Sequence, residues 1–286
     1  MSSVIINLKN PIEGIDVSGH QDIINWEKVK ESGKVKFVLI RIGYGNSIAY
    51  PNQVDKQFER NYSECKRLGI PVGAYYYSYA TTVEMAKLEA ESCLKLIENK
   101  QFEYPIFYDV EERRIFDTGK TNEIIKAFCS ILEAKNWWVG IYIYRSGAQT
   151  YLTSSTRNRY AMAVAEYSPN LNYKDPYGIW QNSSTSRIPG IKTDVDHDWC
   201  YVDYPTMIKN SGRNGFKPVN KFPFRIETIA KTPMLSGTPY APPVKNAVGA
   251  GNKYNISAIE TIDGVEYGKI EGDTFRWVKM SDVKKI

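Results

Sequence analysis

Pro105-Ile-Phe-Tyr-Asp-Val-Glu-Glu112 is a short apolar run that ends in three acids. Its length and its aromatic and branched residues read as a buried strand. Side chains alternate across a strand, so Asp109 and Glu111 share one face while Val110 takes the other. At about 3.3 Å per residue their backbones lie roughly 6.6 Å apart. That spacing suits carboxyl pairs that hydrolyse glycosidic bonds, and it permits either the retaining or the inverting separation. Two acids this close also repel, which keeps a proton on one of them at a higher pH than usual. The tripeptide by itself is equally the solvated end of an ordinary strand, so its neighbours decide its meaning.

Similar apolar runs occur at Gly14–Ser18, Lys36–Gly43, Ile70–Tyr79, Trp138–Tyr144, Tyr160–Glu166 and Gly178–Gln181. Near-continuous apolar strands are those of a parallel sheet buried on both faces. Helical patterns separate them at Val54–Leu68, Val83–Glu98 and Asn122–Lys135. The last has Ile124, Ile125, Phe128, Ile131 and Leu132 in one stripe, with Thr121 as a candidate N-cap. Repeated strand–helix units predict an α/β fold, either an open parallel sheet or a (β/α) barrel of TIM type. The barrel is preferred because its strand C-termini converge on one face, where catalysis occurs. Asp16, at the end of the first strand, and Asp196, in the cluster Asp194-Val-Asp-His-Asp198, would then join Asp109 and Glu111 in one acidic cleft. Tyr44, Tyr75, Tyr77, Tyr108, Tyr142, Tyr167 and Trp180 lie near the same strand ends. Their flat rings suit stacking on sugar faces, and core packing explains a single tyrosine as readily.

Past Asn210 the texture changes. Asn210-Ser-Gly-Arg-Asn-Gly-Phe-Lys-Pro218 is polar and glycine-rich, as a linker is. Short β-type runs follow at Phe224–Ala230, Tyr254–Ile262, Val265–Ile270 and Phe275–Val278, with Asp263-Gly264 as a hairpin signal. The region of Pro239, Pro242 and Pro243 reads as a loop. The expected organisation is a domain over 1–208, a linker over 209–218 and a small all-β barrel over 219–286. Charge divides at the same place. Residues 1–205 carry 24 Lys+Arg against 25 Asp+Glu, and residues 206–286 carry 13 against 7.

Together, Gly14-Ile-Asp-Val-Ser-Gly-His-Gln21, the Asp109-Val-Glu111 strand, Trp180-Gln181 and Val195-Asp196 resemble glycoside hydrolase family 25. These are lysozymes common among phage endolysins, and the resemblance spans about residues 12–205 in order. It implies an irregular (β/α) barrel and hydrolysis of the β-1,4 bond between N-acetylmuramic acid and N-acetylglucosamine. By the same resemblance Glu111 is the general acid and Asp109 assists at the anomeric centre. Asp16 and Asp196 are further cleft carboxylates, and no cofactor is implied. The family often has His in the third-strand aromatic run, where this chain reads Tyr75-Tyr-Tyr77. The tail is similar to a bacterial SH3-like wall-binding domain through Glu260–Gly272 and Phe275-Arg-Trp-Val-Lys-Met280.

The remaining features narrow the alternatives. With the two histidines His20 and His197 and no metal-type cysteine spacing, a metal site is not expected. Cys65, Cys93, Cys129 and Cys200 read as buried free thiols. There is no apolar run of about 18 residues, and hence no transmembrane helix is expected. No basic-then-apolar signal opens the chain. Synthesis in a bacterial host cytoplasm and release to the wall through a holin pore is the expectation that goes with the resemblance. The partners expected are peptidoglycan and anionic wall polymers. A non-catalytic wall lectin would need only the cleft, not the acid pair. Nucleic acid is disfavoured because the basic tail has no dense Lys/Arg run and no recognised reading helix.

Overall fold

A computed structural model describes residues 7–217, 223–236, 243–262, 265–271 and 276–286. Contacts divide the chain into two compact units, Asn7–Ile208 with Arg213–Phe216, and a second built mainly on Lys217–Ile286.

The first unit is a closed eight-stranded barrel in sequential order. Its strands are β1 (Asn7–Val17), β2 (Phe37–Tyr44), β3 (Val72–Tyr77), β4 (Ile106–Asp109), β5 (Val139–Tyr144), β6 (Ala161–Ala165), β7 (Ile179–Ser186) and β8 (Val195–Val202). The helices are α1 (Trp26–Glu31), α2 (Phe58–Arg67), α3 (Val83–Ile97), α4 (Arg113–Phe116), α5 (Thr121–Ala134), α6 (Arg145–Tyr151), α7 (Ser154–Arg159) and α8 (Tyr204–Ser211). Strands β1 to β7 are parallel, and β8 runs antiparallel to both β7 and β1. The reversal follows from length. Arg187–Asp194 is too short for a parallel crossover, which needs about a dozen residues or more. The expectation of a (β/α) barrel thus holds with one irregular strand. That strand is the segment read above only as an acidic cluster.

Two apolar layers fill the barrel. Outward-facing Ile40, Ile42, Ile106, Tyr108, Ile141 and Ile143 pack under the helices. Phe128 of α5 stacks on Tyr108 with ring centres 3.9 Å apart. Ile124, Ile125, Phe128 and Leu132 are buried as their spacing predicts, and burial of each stabilises by about 2 kcal/mol. Thr121 is the first residue of α5 rather than its cap; Lys120 holds that position and Thr121 Oγ1 donates to the Ile115 carbonyl instead. Inside the barrel Phe37 stacks on Tyr104 at 4.5 Å. Gly14 is required there, because a Cβ would stand 2.3 Å from the Phe37 ring. The four cysteines are buried free thiols.

Part of the segment expected as a linker, Arg213–Phe216, belongs to the first unit. Asn214 is 0% exposed. Its Nδ2 donates to the carbonyls of Phe102 (3.2 Å) and Tyr104 (2.9 Å), and its Oδ1 accepts from the Trp138 amide at 2.6 Å. Gly215 beside it has φ +80, and a Cβ would stand 2.2 Å from the Lys100 carbonyl. Composition marked this stretch as polar, but its polar groups serve the ends of two barrel strands. Asn214→Ala would leave two buried carbonyls and the half-buried Trp138 amide without partners, at about 1–3 kcal/mol for each buried group. The variant is expected to lose about 3 kcal/mol or more in urea unfolding of the barrel. An unchanged midpoint would return the segment to the status of a linker.

The second unit is an antiparallel sheet of β9 (Phe224–Thr228), β10 (Thr232–Ser236), β11 (Pro243–Val248), β12 (Lys253–Ile262), β13 (Val265–Ile270), β14 (Arg276–Lys279) and β15 (Val283–Lys285). The order across it is β11-β10-β14-β13-β12-β9-β15. Phe224, Ile226, Met234, Ile256, Ile270 and Val278 form its core. Pro243, expected in a loop, is instead the first residue of the edge strand β11, a position at which a sheet tolerates proline. Ile262 pairs with Val265, as a hairpin requires. The Asp263-Gly264 turn, Phe275, Pro218, Pro239 and Pro242 lie outside the described residues.

Candidate active site

A cavity of about 580 Å³ opens at the C-terminal ends of the parallel strands. Leu39 and Phe107 contribute its apolar lining, and Asp16, Asp109, Glu111 and Asp196 its acidic side. Alternation on β4 works as expected: Phe107 and Asp109 face inward. The ladder continues past the strand through the Val110 amide, which donates to the Tyr142 carbonyl, so Glu111 also reaches the cavity. Strand β8 supplies the rest. Asp196 pairs in register with Asp16 of β1, and Asp198 with Gln181 of β7. Asp198, two residues on from Asp196, is 1% exposed and adjoins the acidic side. Asp194 is on the surface, paired with Arg187.

Crowding and burial set the electrostatics. Burial is the largest influence on Asp16, Asp109 and Asp198 and pushes all three well above the ordinary carboxylate range. Neighbouring charge adds to it: Asp198 and Asp196 on Asp16, and Glu111 on Asp109. Arg41 acts against the rise at Asp109. Glu111 is nearer the mouth; burial raises it, and the Tyr77 hydroxyl acts in the opposite direction. Carboxyls this close cannot all ionise, so the cluster shares protons at pH values where separate acids would have lost them. Asp109 Oδ1 and Asp198 Oδ2 have no hydrogen-bond partner among the described residues. That is the arrangement of a site built for charge rather than for stability.

Asp55 holds one side together. Its Oδ2 accepts from Arg41 Nε at 2.7 Å and from the Gly19 amide at 2.8 Å. The Gly19–Gln21 turn is closed by Ser18, whose amide donates to Gln21 Oε1 at 2.9 Å. The motif Asp16-Val-Ser-Gly-His-Gln21 is therefore one strand end and one clamped turn, with Ser18, His20 and Gln21 lining the cavity.

Tyrosines line much of the cavity. Tyr75 and Tyr77 both line the cavity, as do Tyr44, Tyr142 and Tyr167. Tyr77 donates to Glu112 Oε1 at 2.9 Å, and Tyr79 packs edge-on against both Tyr77 and Tyr44. Arg114 lies 4.4 Å over the Tyr79 ring. Behind Tyr79, the buried Glu89 accepts from the Tyr79 amide (2.8 Å), Ser78 Oγ (3.0 Å) and the Tyr108 hydroxyl (2.6 Å). Burial raises the Glu89 carboxyl to about 7.

Two expected residues are elsewhere. Gln181 faces the lumen, so Trp180 beside it faces out; it is buried there and donates Nε1 to the Glu166 carbonyl at 2.9 Å. Tyr108 likewise sits in the outer layer. Reading single segments missed Arg41, Asp55, Tyr79, Gln181 and Glu89 as parts of the site and its support. Two of them carried a signal: Arg41 interrupts the apolar run Phe37–Tyr44, and Glu89 interrupts the apolar stripe of α3. Among the described residues no group of three His, Cys, Asp or Glu could hold a metal ion, and no helix is long and apolar enough to cross a membrane.

The family model for glycosyl hydrolases family 25 matches residues 15–191. YegX of Escherichia coli O6:H1 is 30% identical over 193 residues, covering 65% of this chain and 68% of YegX. Among solved structures, the modular autolysin LytC from Streptococcus pneumoniae is 31% identical with a TM-score of 0.60, over 68% of this chain. The chain spans 48% of LytC, about half its length. LytC has also been solved in complex with a synthetic peptidoglycan ligand. The spore cortex lytic enzyme SleM of Clostridium perfringens shares 15% identity and a TM-score of 0.58 over 95% of this chain and 87% of its own. That is a likeness of fold.

Proposed function

The chain belongs to glycosyl hydrolases family 25, and from that membership we propose that it is a peptidoglycan-cleaving muramidase. The bond cut is the β-1,4 linkage from N-acetylmuramic acid to N-acetylglucosamine. The observation that carries the reading is Glu111 at the cavity mouth, its proton held by burial, beside the more deeply buried Asp109. A glycan laid across the mouth meets an acid able to protonate the leaving oxygen and an anionic side that stabilises positive charge at the anomeric carbon. Asp16 and Asp196 hold the substrate and set the charge of the pair. Tyr44, Tyr77 and Tyr167 supply flat surfaces for the sugar rings. The ligand solved with LytC supports the substrate class.

Mass spectrometry of the products from purified bacterial walls tests this. Muramic acid at the new reducing ends is expected. Glucosamine reducing ends, free peptides, or walls that are bound but not cut would each overturn it.

The second unit is assigned to wall attachment, and the chain to the endolysin type, made in a host cytoplasm and released through a holin pore. The excess of Lys and Arg after residue 205 suits an anionic wall polymer. Tethering concentrates the enzyme on an insoluble substrate. A chain ended after Lys217 is therefore expected to cleave soluble wall fragments as the whole chain does, and to lose activity on intact walls. The advantage of the whole chain should shrink as salt shortens screening from about 10 Å at 0.1 M to about 3 Å at 1 M. Equal activity of the two on intact walls would remove the attachment role.

A further inference from the structure

We infer that Gln181 is a positioning residue that fixes Asp16 Oδ2 as a hydrogen-bond acceptor and holds the Tyr167 ring at the cavity mouth. The inference rests on the glycosidase reading above. Gln181 is 3% exposed and points into the lumen from β7. Its Oε1 accepts from the Tyr142 hydroxyl and from the Tyr167 hydroxyl, each at 2.8 Å. Its Nε2 donates to Asp16 Oδ2 at 2.6 Å. A carbonyl oxygen has two lone pairs, and both are used. The amide is thereby fixed with its N–H directed at Asp16. Turned over, it would present its carbonyl to Asp16, which is tolerable only if Asp16 carries a proton on that oxygen. The amide orientation thus fixes Oδ2 as the unprotonated oxygen of Asp16.

The other groups facing Asp16 explain why this matters. They are Asp196 and Asp198 from β8, Asp109 from β4, Tyr75 from β3, Arg41 from β2 and Tyr142 from β5. Burial and the three aspartates favour the protonated acid, and the Gln181 hydrogen bond opposes them. With Oδ2 held as an acceptor, the protons of the cluster reside on the remaining oxygens of Asp16, Asp196 and Asp198. At the other end of the amide, Tyr167 is 59% exposed, yet its hydroxyl is tied to the lumen. The same side chain thus orients a carboxylate and a sugar-facing ring.

Gln181→Leu and Gln181→Glu separate this role from plain packing, with wild-type cleavage of soluble wall fragments measured alongside. Leucine removes the hydrogen bond, so the Asp16 proton is retained to higher pH. The acidic limb of the rate profile is expected to move upward by about one pH unit, with kcat down about tenfold or more and KM raised. Glutamic acid has the shape of glutamine and, once protonated, donates to Asp16 as the amide does. Its activity is expected to recover toward wild type as the pH falls, whereas the leucine variant does not recover. A structural role predicts parallel profiles for the two variants, and coincident acidic limbs would overturn the inference. If Gln181→Leu does not fold, the glutamate profile alone decides: loss without recovery at acid pH overturns it. If the wild type itself cleaves no glycan, it is the glycosidase reading that fails.

Discussion

Replacing Glu111 with glutamine is expected to lower the turnover of wall glycan by at least about 100-fold, the low end of what a positioned general acid contributes. The substitution keeps the shape of the side chain and removes only the proton that would pass to the leaving oxygen. Glu111 stands near the mouth and its carboxyl is raised by burial, so the neutral amide should not lower the denaturant concentration at which the barrel unfolds. Binding of non-cleaved glycan should persist. Initial rates on soluble wall fragments, measured with circular dichroism of the same samples, check both halves. Retention of more than about a tenth of the activity would remove Glu111 from the acid role.

Asp109→Asn is expected to be comparably severe for activity and opposite in sign for stability. The carboxyl is fully enclosed, one oxygen has no hydrogen-bond partner among the described residues, and Glu111 repels it. Its folded-state pKa is raised, so its favourable contribution is complete below the ordinary carboxylate value. That contribution is lost as the pH rises through the raised value. At neutral pH the neutral amide should therefore raise the unfolding midpoint. Activity should fall about 100-fold or more, the usual consequence of removing one aligned charge from a transition state. The coupling of the pair is mutual, so Glu111 would lose its proton at lower pH and the alkaline limb of any residual activity should move toward acid. A less stable variant would show that Asp109 serves the fold. A fully active one would show that its charge is idle.

The common face of the pair was legible in the sequence because it is a property of one strand. Alternation is local, and Pro105–Glu112 places Asp109 and Glu111 on a common face whatever the rest of the chain does. The apolar runs and the α5 stripe were legible for the same reason, since period reports burial within one segment. The change of pattern and charge after residue 205 likewise announced a separate β unit without any tertiary information. The tertiary structure decided everything that depends on which segments become neighbours. Barrel closure brings Asp16 against Asp196 and Asp198, about 180 residues later in the chain. The shortness of Arg187–Asp194 reverses β8, yet the alternation of its acids still points them inward. Trp180 and Gln181 adjoin in sequence, but only the direction of the β7 pleat puts the amide in the cavity and the indole outside it. Tyr75 and Tyr77 share a face by alternation, and closure of the barrel decides that this face is the cavity. Asn214 looked like part of a linker because its composition is that of a turn. It is instead the partner of backbone groups more than 70 residues away, and a local pattern carries no information about a partner at that distance.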